Sequence, residues 1–250
     1  MKKGLVLIYL ILALPTTGVA QKLRIAVAAN AQFVAEVLAK EFKQQTGVEA
    51  ELIVSSSGKL TAQIEQGAPF DVFLSADMKY PQALYNKQLT AAKPEIYAYG
   101  TLVMWSKKEI SLLKGLNALT DPAIQKIAIA NAVLAPYGEA AEQAIERSGL
   151  LAKLKPKLVY GESIAQVDQY LLTGVVDVAF TAKSTVLNPA QKYKGNWKEV
   201  DNKLYKPIAQ GVVVLKTSIG ENLKQAKKFY NFLFDVKAKQ IFKKYGYKLQ

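Results

Sequence analysis

Strand-like and helix-like segments alternate along this chain, and this alternation constrains its fold more than any other feature of the sequence. The strand-like runs 21–28 and 48–54 flank the run 32–46, whose apolar residues recur at helical spacing. The helix-like run 59–66 then leads to the apolar run 70–74, which is typical of a strand buried on both faces. Successive strand–helix–strand units cross over in the right-handed sense, so we predict a parallel sheet covered by helices.

The same pattern restarts in the second half of the chain. A long strand-like run at 97–106 leads into it, and another long run at 208–215 follows it. Shorter strand-like and helix-like runs alternate between them: 126–130, 137–148, 157–160, 163–172 and 177–180. Two helix-like runs, 218–234 and 236–245, come last.

This order predicts two lobes joined by the two long strands. We expect an α/β protein in which each lobe is a mostly parallel sheet flanked by helices, with the C-terminal helices returning to the first lobe. The expected bounds are 21–97 plus 216–250 for the first lobe and 98–215 for the second. Ligands of open α/β sheets bind at the carboxyl ends of strands, so we expect a ligand cleft between the lobes.

Residues 1–20 have the composition of an export signal. Lys2 and Lys3 precede the apolar run 4–14, and the small residues 18–20 stand before the expected cleavage site. The apolar run is shorter than the roughly 20 residues that a membrane-spanning helix needs. Since no Cys stands near the cleavage site, we expect secretion into a periplasm without a lipid anchor.

Composition argues against several classes of function. The chain has no His and no Cys, which removes the commonest general base, thiol nucleophiles and most zinc ligands. The net charge of +13 is carried by scattered lysines without a recognition motif, so nucleic acid is not an expected partner. An exported α/β hydrolase of phosphate esters remains a weaker alternative, because the sequence offers it neither a metal site nor an activated nucleophile.

Four turns stand at expected carboxyl ends of strands, each directly before a predicted helix. The turn 55–58, Ser-Ser-Ser-Gly, is the most polar, and the others lie at 28–31, 131–138 and 162–164. A helix N-terminus offers unpaired N–H groups and the positive end of the helix dipole, which together bind anions. Each turn alone could be an ordinary helix cap, and Asn30 could cap the first helix. Four such turns facing one cleft predict an anion site.

The chemistry of these donors favours a fully ionised anion. A proton carried by the ligand would face another donor, at a cost of about 1–3 kcal/mol. Phosphate, which is partly protonated near neutral pH, is therefore disfavoured. Sulfate, molybdate and tungstate all remain open at this point.

The same segments resemble the periplasmic molybdate-binding proteins of ABC transporters. The similarity spans the whole chain after residue 20 and is carried by these stretches: Val27-Ala28-Ala29-Asn30, Ser55-Ser56-Ser57-Gly58, residues 63–69, residues 71–77 and Ala135-Pro136-Tyr137-Gly138. The resemblance implies a type II periplasmic-binding fold whose lobes close on molybdate or tungstate and deliver it to a membrane permease. It implies no catalysis and no cofactor, and we expect a monomer.

The resemblance also implies which residues contact the anion. Ser57 stands where the family has a ligating serine, and Asn30 stands where many members have Ser and a subgroup has Asn. Tyr137 and Ile164 stand at the second-lobe positions that donate backbone N–H groups.

Two residues depart from the family pattern. Ala29 replaces a Thr found beside Asn in similar members, and Ala182 stands where better-known members carry a ligating Tyr. These departures leave the number of donors open. A receptor for sulfate or another oxyanion is therefore the nearest alternative.

Overall fold

Two open sheets of five strands each organise the chain. The structure, a computed structural model, describes residues 22–193 and 195–249. The predicted signal peptide, residues 1–20, lies outside the described residues. Helices flank both sheets, and the two-lobed α/β fold expected from the sequence is confirmed.

The first lobe begins with two strand–helix units and a third strand. Its elements up to the first crossing are β1 (Leu23–Ala28), a 3-10 turn (Ala29–Ala31), α1 (Gln32–Thr46), β2 (Ala50–Ser55), α2 (Ser57–Glu65), β3 (Val72–Ser75), α3 (Lys79–Asn86) and β4 (Glu95–Gly100). Gly47 ends α1 in the left-handed conformation, with φ of 74°, which glycine adopts without a steric cost.

The second lobe repeats the alternation before the chain returns. Its elements are β5 (Leu102–Ser106), a 3-10 turn (Gly115–Thr120), β6 (Ile127–Ala130), α4 (Pro136–Arg147), α5 (Leu151–Leu154), a 3-10 turn (Lys155–Lys157), β7 (Leu158–Gly161), α6 (Ile164–Leu172), β8 (Val178–Ala182), α7 (Lys183–Val186) and β9 (Asn196–Glu199). A 3-10 turn (Asn202–Leu204) precedes β10 (Ile208–Val214), α8 (Gly220–Phe232) and α9 (Val236–Lys244).

Both sheets have the same internal plan. The strand orders are β2-β1-β3-β10-β4 in the first and β7-β6-β8-β5-β9 in the second. Only β10 and β5 are antiparallel to the neighbours on both of their sides, so the other strands of each sheet share one direction. The sheets are therefore mixed but mostly parallel, and the turns that follow the parallel strands lie at one edge.

The path of the chain between the lobes differs from the bounds expected from the sequence. The sequence predicts one strand at 97–106, but the run breaks at Thr101, so that β4 joins the first sheet and β5 the second. β10 falls within the bounds 98–215 expected for the second lobe, yet it pairs with β3 and β4 of the first. An apolar run indicates that a strand is buried, but its sheet depends on partners distant in sequence.

The C-terminal helices pack on the first lobe, as the sequence predicts. Phe229 of α8 meets Phe42 of α1 edge-on, with ring centroids 5.1 Å apart. Phe242 of α9 lies against Tyr97 of β4, with centroids 5.2 Å apart. These buried aromatic rings join both ends of the chain in one core.

No helix within residues 22–193 and 195–249 has the length and apolar character needed to cross a membrane.

Candidate anion-binding site

A small cavity lies between the lobes, beyond the carboxyl ends of β1, β2 and β3 on one side and of β6 and β7 on the other. The cavity is small: its volume is about 10 Å³, counted as the space open to the centre of a water molecule. The residues that line it are Ala28, Ala29, Asn30, Ser56, Ser57, Ala76, Ala135, Pro136, Tyr137 and Ile164. These described lining residues include no Lys, Arg, Asp or Glu. The walls therefore offer dipoles rather than charges.

The structure brings together all four residues that the sequence predicts as ligand contacts. Asn30 and Ser57 come from the first lobe, and Tyr137 and Ile164 from the second. None is more than 3% exposed. Asn30 lies in the 3-10 turn that precedes α1, and the other three lie in the first turns of α2, α4 and α6. The N–H groups of a first turn have no acceptor in their own helix. Their contact with an anion stays a prediction.

The two buried serines of the 55–58 turn have different roles. Ser56 caps α2, since its hydroxyl oxygen accepts a hydrogen bond from the N–H of Lys59 over 3.4 Å. Ser57 is the first residue of the helix, and its Oγ accepts from the N–H of Ala76 over 3.0 Å. Because that oxygen already accepts a bond, the hydroxyl proton of Ser57 is the group available to a ligand.

Asn30 lies inside the 3-10 turn and does not cap α1. The residue before α1 is Ala31, whose methyl side chain has no hydrogen-bonding group. The Asn30 amide nitrogen donates to Oε1 of Gln210 over 2.8 Å. Its backbone carbonyl oxygen accepts from the hydroxyls of Ser184, over 2.7 Å, and Tyr247, over 3.2 Å. Both lobes therefore hold Asn30, and one of its two amide hydrogens is committed to Gln210.

Tyr137 reaches across to the first lobe with its side chain. A Cβ added to Gly100 would lie only 2.0 Å from the Tyr137 hydroxyl oxygen, so the phenol packs directly against this glycine. Burial raises the pKa of Tyr137 well above its usual range, and the neighbouring Asn30 side chain opposes that rise only in part. The backbone N–H at the start of α4 is then the group that Tyr137 can turn to the cavity.

Ile164 is the first residue of α6 and presents its backbone in the same way. Ser163 precedes it and caps the helix, with its hydroxyl oxygen accepting from the N–H of Gln166 over 3.3 Å. This cap binds the N–H of Gln166 and not the N–H of Ile164, which is therefore still able to donate to a ligand.

The two alanines that depart from the family pattern lie in different places. Ala29 lines the cavity and supplies a methyl group where a hydroxyl would stand. Ala182 ends β8, pairs with Leu102 and is fully buried. It lies outside the described residues that line the cavity. Residue 29 therefore borders the candidate site, whereas residue 182, as an alanine, does not.

Contacts around the cavity join the lobes directly. The N–H of Gly58 donates to the carbonyl oxygen of Leu134 over 2.9 Å. The Tyr80 hydroxyl donates to the carbonyl oxygen of Val133 over 2.6 Å. Lys59 and Glu162 form an ion pair at the exposed rim. The cavity is thus enclosed by groups that meet only when the lobes are together.

The two aspartates that flank β3, Asp71 and Asp77, have structural roles. Asp71 accepts a hydrogen bond from the N–H of Arg24 over 2.8 Å. Asp77 accepts from the N–H of Tyr80 over 3.3 Å at the start of α3, and burial raises the pKa of its carboxyl. Across the part of the chain that the structure describes, no cluster of three or more His, Cys, Asp or Glu is placed to hold a metal ion.

Sequence reasoning missed the residues that stand behind the cavity wall. Gln210, Ser184 and Tyr247 are buried and hold Asn30, and the peptide of Ala76 holds Ser57. One signal was present in the sequence: Gln210 interrupts the otherwise apolar run 208–214. A polar side chain in a buried strand needs hydrogen-bond partners, and here those partners belong to the site.

Comparison with known proteins assigns the chain to a family. Residues 23–248 match the bacterial extracellular solute-binding proteins. This chain belongs to that family. Among the family's curated members, the molybdate-binding protein ModA of Azotobacter vinelandii is 36% identical over 232 residues, which are 92% of this chain and 91% of that protein. The molybdate-binding protein ModA of Rhodobacter capsulatus is 36% identical over 249 residues, which are 99% and 96% of the two chains.

A solved structure within the family matches over the same length. The periplasmic molybdate-binding protein of Azotobacter vinelandii aligns with a TM-score of 0.86 and 33% identity, covering 92% of this chain and all of that one. The resemblance seen in the sequence motifs is therefore confirmed, as is the two-lobed fold. The expectation of a binding protein rather than an enzyme is also confirmed, because these relatives are solute-binding proteins.

Proposed function

We propose that this protein binds molybdate or tungstate in the periplasm and presents the anion to the permease of an ABC transporter. One observation carries the proposal: first-turn residues of four helical segments, together with the Ser57 hydroxyl, surround one buried cavity whose described lining residues carry no charge. The relatives named for molybdate binding, at 36% identity over nearly the whole chain, support the choice of anion.

The available donors support a dianion as the ligand. The Ser57 oxygen is engaged by Ala76 and the Ser56 oxygen by Lys59, so both hydroxyls have their protons left to donate. Backbone N–H groups of Tyr137 and Ile164 complete the set from the second lobe. Hydrogen bonds to a charged acceptor are stronger than neutral ones, which lets neutral donors hold a dianion without a buried Lys or Arg.

The same donors select against anions that carry a proton. A protonated phosphate would place its own O–H against a donor, at a cost of about 1–3 kcal/mol. Molybdate, tungstate and sulfate carry no such proton near neutral pH. Discrimination among these three then depends on the size of the cavity that the closed lobes leave.

Location and partners belong to the same proposal. The predicted signal at residues 1–20 and the periplasmic relative of known structure support export. In the proposed cycle the lobes close on the anion, which is afterwards delivered to the permease. We expect the protein to act as a monomer that needs no cofactor.

Thermal unfolding tests the proposal on the chain from Gln21 onward. Molybdate, tungstate, sulfate and phosphate are added separately, each against sodium chloride of equal ionic strength. An anion at 100 times its dissociation constant adds about 2.7 kcal/mol to the free energy of unfolding, which raises Tm measurably. We expect a rise with molybdate and tungstate. A rise with sulfate alone would make the protein a sulfate receptor, and no rise with any of them would contradict the proposal.

A further inference from the structure

Gln210 is a buried polar residue in the middle of an apolar strand. It lies in β10, has no exposed surface, and is followed along the strand by Gly211 and three valines. The pairing of β10 with β4 shifts register between Gln210 and Gly211, which face Ala98 and Ile96, so the extra residue of this bulge is Tyr97 on β4. Bulges re-aim side chains near functional sites, and burying an amide costs free energy unless its hydrogen bonds are made.

Both ends of the Gln210 amide are hydrogen-bonded. Its Oε1 accepts from the Asn30 amide nitrogen over 2.8 Å and from the Tyr97 hydroxyl over 3.3 Å. Its Nε2 donates to the carbonyl oxygen of Ala76 over 3.3 Å. A flipped amide would set Nε2 against the Asn30 donor and Oε1 against a carbonyl oxygen. The partners therefore fix one orientation.

These bonds connect the two first-lobe side chains that the proposed function assigns to the anion. Gln210 holds Asn30 directly, and it holds the peptide that follows β3 through the oxygen of Ala76. The N–H of the same residue, Ala76, binds the hydroxyl oxygen of Ser57 over 3.0 Å. One buried amide therefore stands behind both donors without lining the cavity itself.

Gln210 also lies next to the contact that spans the lobes. A Cβ added to Gly100 would meet the Gln210 amide nitrogen at 2.8 Å and the Tyr137 hydroxyl at 2.0 Å. Asn30 is also among the groups that affect the pKa of Tyr137, so these two side chains are neighbours. Gln210 therefore contacts a first-lobe donor, Asn30, and also lies beside the place where Tyr137 of the second lobe packs on the first.

We propose that Gln210 is a positioning residue of the anion site: it fixes the Asn30 amide and, through the Ala76 peptide, the Ser57 hydroxyl, and so sets affinity and anion selectivity. Groups that position ligand contacts act through geometry, and small displacements of donors weaken binding. The inference rests on the function proposed above, because it assumes that Asn30 and Ser57 face the anion.

Gln210→Glu gives a variant whose effect pH can reverse. When protonated, the glutamic acid replaces the amide almost atom for atom: its O–H donates to the Ala76 oxygen and its other oxygen accepts from Asn30. When ionised, it places a negative charge behind the cavity and faces the Ala76 carbonyl with an acceptor. Burial favours the protonated form, so this change falls above the usual Glu range.

The titratable side chains next to residue 210 do not change their protonation over the pH range of the experiment, so a pH-dependent affinity can be assigned to the introduced carboxyl. The hydroxyls of Tyr97 and Tyr137 face Gln210 from β4 and α4, and burial raises the pKa of both well above their usual range. They therefore stay neutral throughout the experiment. On the β3 side, the group that meets Gln210 is the Ala76 carbonyl, which does not titrate.

The experiment measures molybdate and sulfate dissociation constants by calorimetry at about pH 6 and about pH 9, within the range in which these buried tyrosines keep their protons. The proteins are the unmodified chain, Gln210→Glu, Gln210→Met and Gln63→Glu. Gln63 is exposed on α2, so its variant adds the same charge away from the network. Circular dichroism and thermal unfolding without anion confirm that each variant is folded.

We expect Gln210→Glu to bind molybdate at least about tenfold more weakly at the higher pH and to recover most of that loss at the lower pH, a change equal to about one pKa unit of interaction. Gln210→Met, which lacks both hydrogen-bonding ends, should be weakened at both pH values and discriminate less between molybdate and sulfate. The unmodified chain and Gln63→Glu should show neither effect.

Three outcomes would overturn the inference. In the first, both Gln210 variants fold and bind with the affinity and selectivity of the unmodified chain. In the second, Gln210→Glu loses affinity equally at both pH values. In the third, neither Gln210→Glu nor Gln210→Met folds, which would make Gln210 a requirement of the fold alone. The proposed function fails separately, when the unmodified chain binds neither molybdate nor tungstate. If it binds sulfate instead, the same variants test Gln210 with that anion.

Discussion

The N–H of Gly58, in the first turn of α2, donates to the carbonyl oxygen of Leu134 over 2.9 Å and joins the two lobes beside the cavity. Glycine allows this approach, because a Cβ at residue 58 would lie 3.1 Å from Cα of Leu134 and 3.0 Å from the Tyr80 hydroxyl oxygen. The anion site therefore borders a backbone contact that forms only when the lobes meet.

We expect Gly58→Ala to weaken anion binding without destabilising the anion-free chain. The added methyl group would press on Leu134 and hold the lobes apart, whereas alanine favours a helix over glycine by up to about 1 kcal/mol. Calorimetry should show a dissociation constant for molybdate raised about tenfold, equal to about 1.4 kcal/mol. Thermal unfolding without anion should show an unchanged or higher Tm. An unchanged affinity would mean that the closed contact does not contribute to binding.

Ser57→Ala should reduce affinity, since it removes the hydroxyl that the Ala76 bond leaves free to donate. A hydrogen bond to a charged acceptor contributes about 1.5–3 kcal/mol, so the dissociation constant should rise roughly tenfold to a hundredfold. Ser163→Ala is the matched control, because it removes the cap of α6 rather than a proposed ligand contact. That control should lower stability by about 1 kcal/mol and leave affinity largely unchanged. Equal effects of the two variants on affinity would contradict the assignment of Ser57.

The ion pair between Lys59 and Glu162 should contribute little to binding. Their side chains are 42% and 62% exposed, and exposed pairs contribute about 0–1 kcal/mol because water and salt screen them. Glu162→Gln should therefore raise the molybdate dissociation constant by no more than about fivefold at low ionic strength. The difference should vanish near 1 M sodium chloride, where the Debye length is about 3 Å. A larger loss that persists in salt would show that the pair holds the lobes closed.

Asp168→Asn should stabilise the chain at neutral and higher pH. Asp168 Oδ2 accepts from the Thr185 hydroxyl over 3.1 Å, whereas its Oδ1 has no partner among the described residues. Burial raises the pKa of Asp168 to about 7, while an unfolded Asp titrates near 3.9. Between these values the folded state keeps a proton that the unfolded state has lost. The free energy of unfolding therefore falls as pH rises from about 4 to about 7.

Urea unfolding across this pH range checks the prediction. The Asn variant should lose the decline and gain on the order of 4 kcal/mol above about pH 7, since the pKa differs by about three units between the two states, with little change near pH 4. Asp121→Asn, at an exposed position, is the control and should follow the unmodified chain. If Asp168→Asn is instead less stable at high pH, the ionised carboxylate has a favourable partner.

Much of the fold could be predicted because local patterns report on local structure. The apolar spacing in 32–46 predicts α1 (Gln32–Thr46), and Gly47 marks its end. The order of strands and helices then limits the architecture to helices over mostly parallel sheets. The polar turn 55–58 stands at a strand end before a helix, so its place in the site also follows from the sequence.

Other features depended on residues that are far apart in the chain. The apolar residues of β10 show only that it is buried, and its pairing with β3 and β4 places it in the first lobe. The neighbouring residues Ser56 and Ser57 look equivalent in sequence. Only their partners tell them apart: Ser56 caps α2 through the N–H of Lys59, whereas Ser57 accepts from the N–H of Ala76, which follows β3.

The sequence by itself determined the order of the elements, the four turns and the absence of His and Cys, because each is a property of neighbouring residues or of composition. Only the tertiary structure decided which lobe receives β10, where the Tyr137 phenol points and what Gln210 holds. A hydrogen bond requires two groups within about 3 Å of each other, and the sequence does not fix that distance for residues on separate strands. The chain could therefore be recognised from its turns, but the group of side chains behind them became visible only once the two sheets were in place.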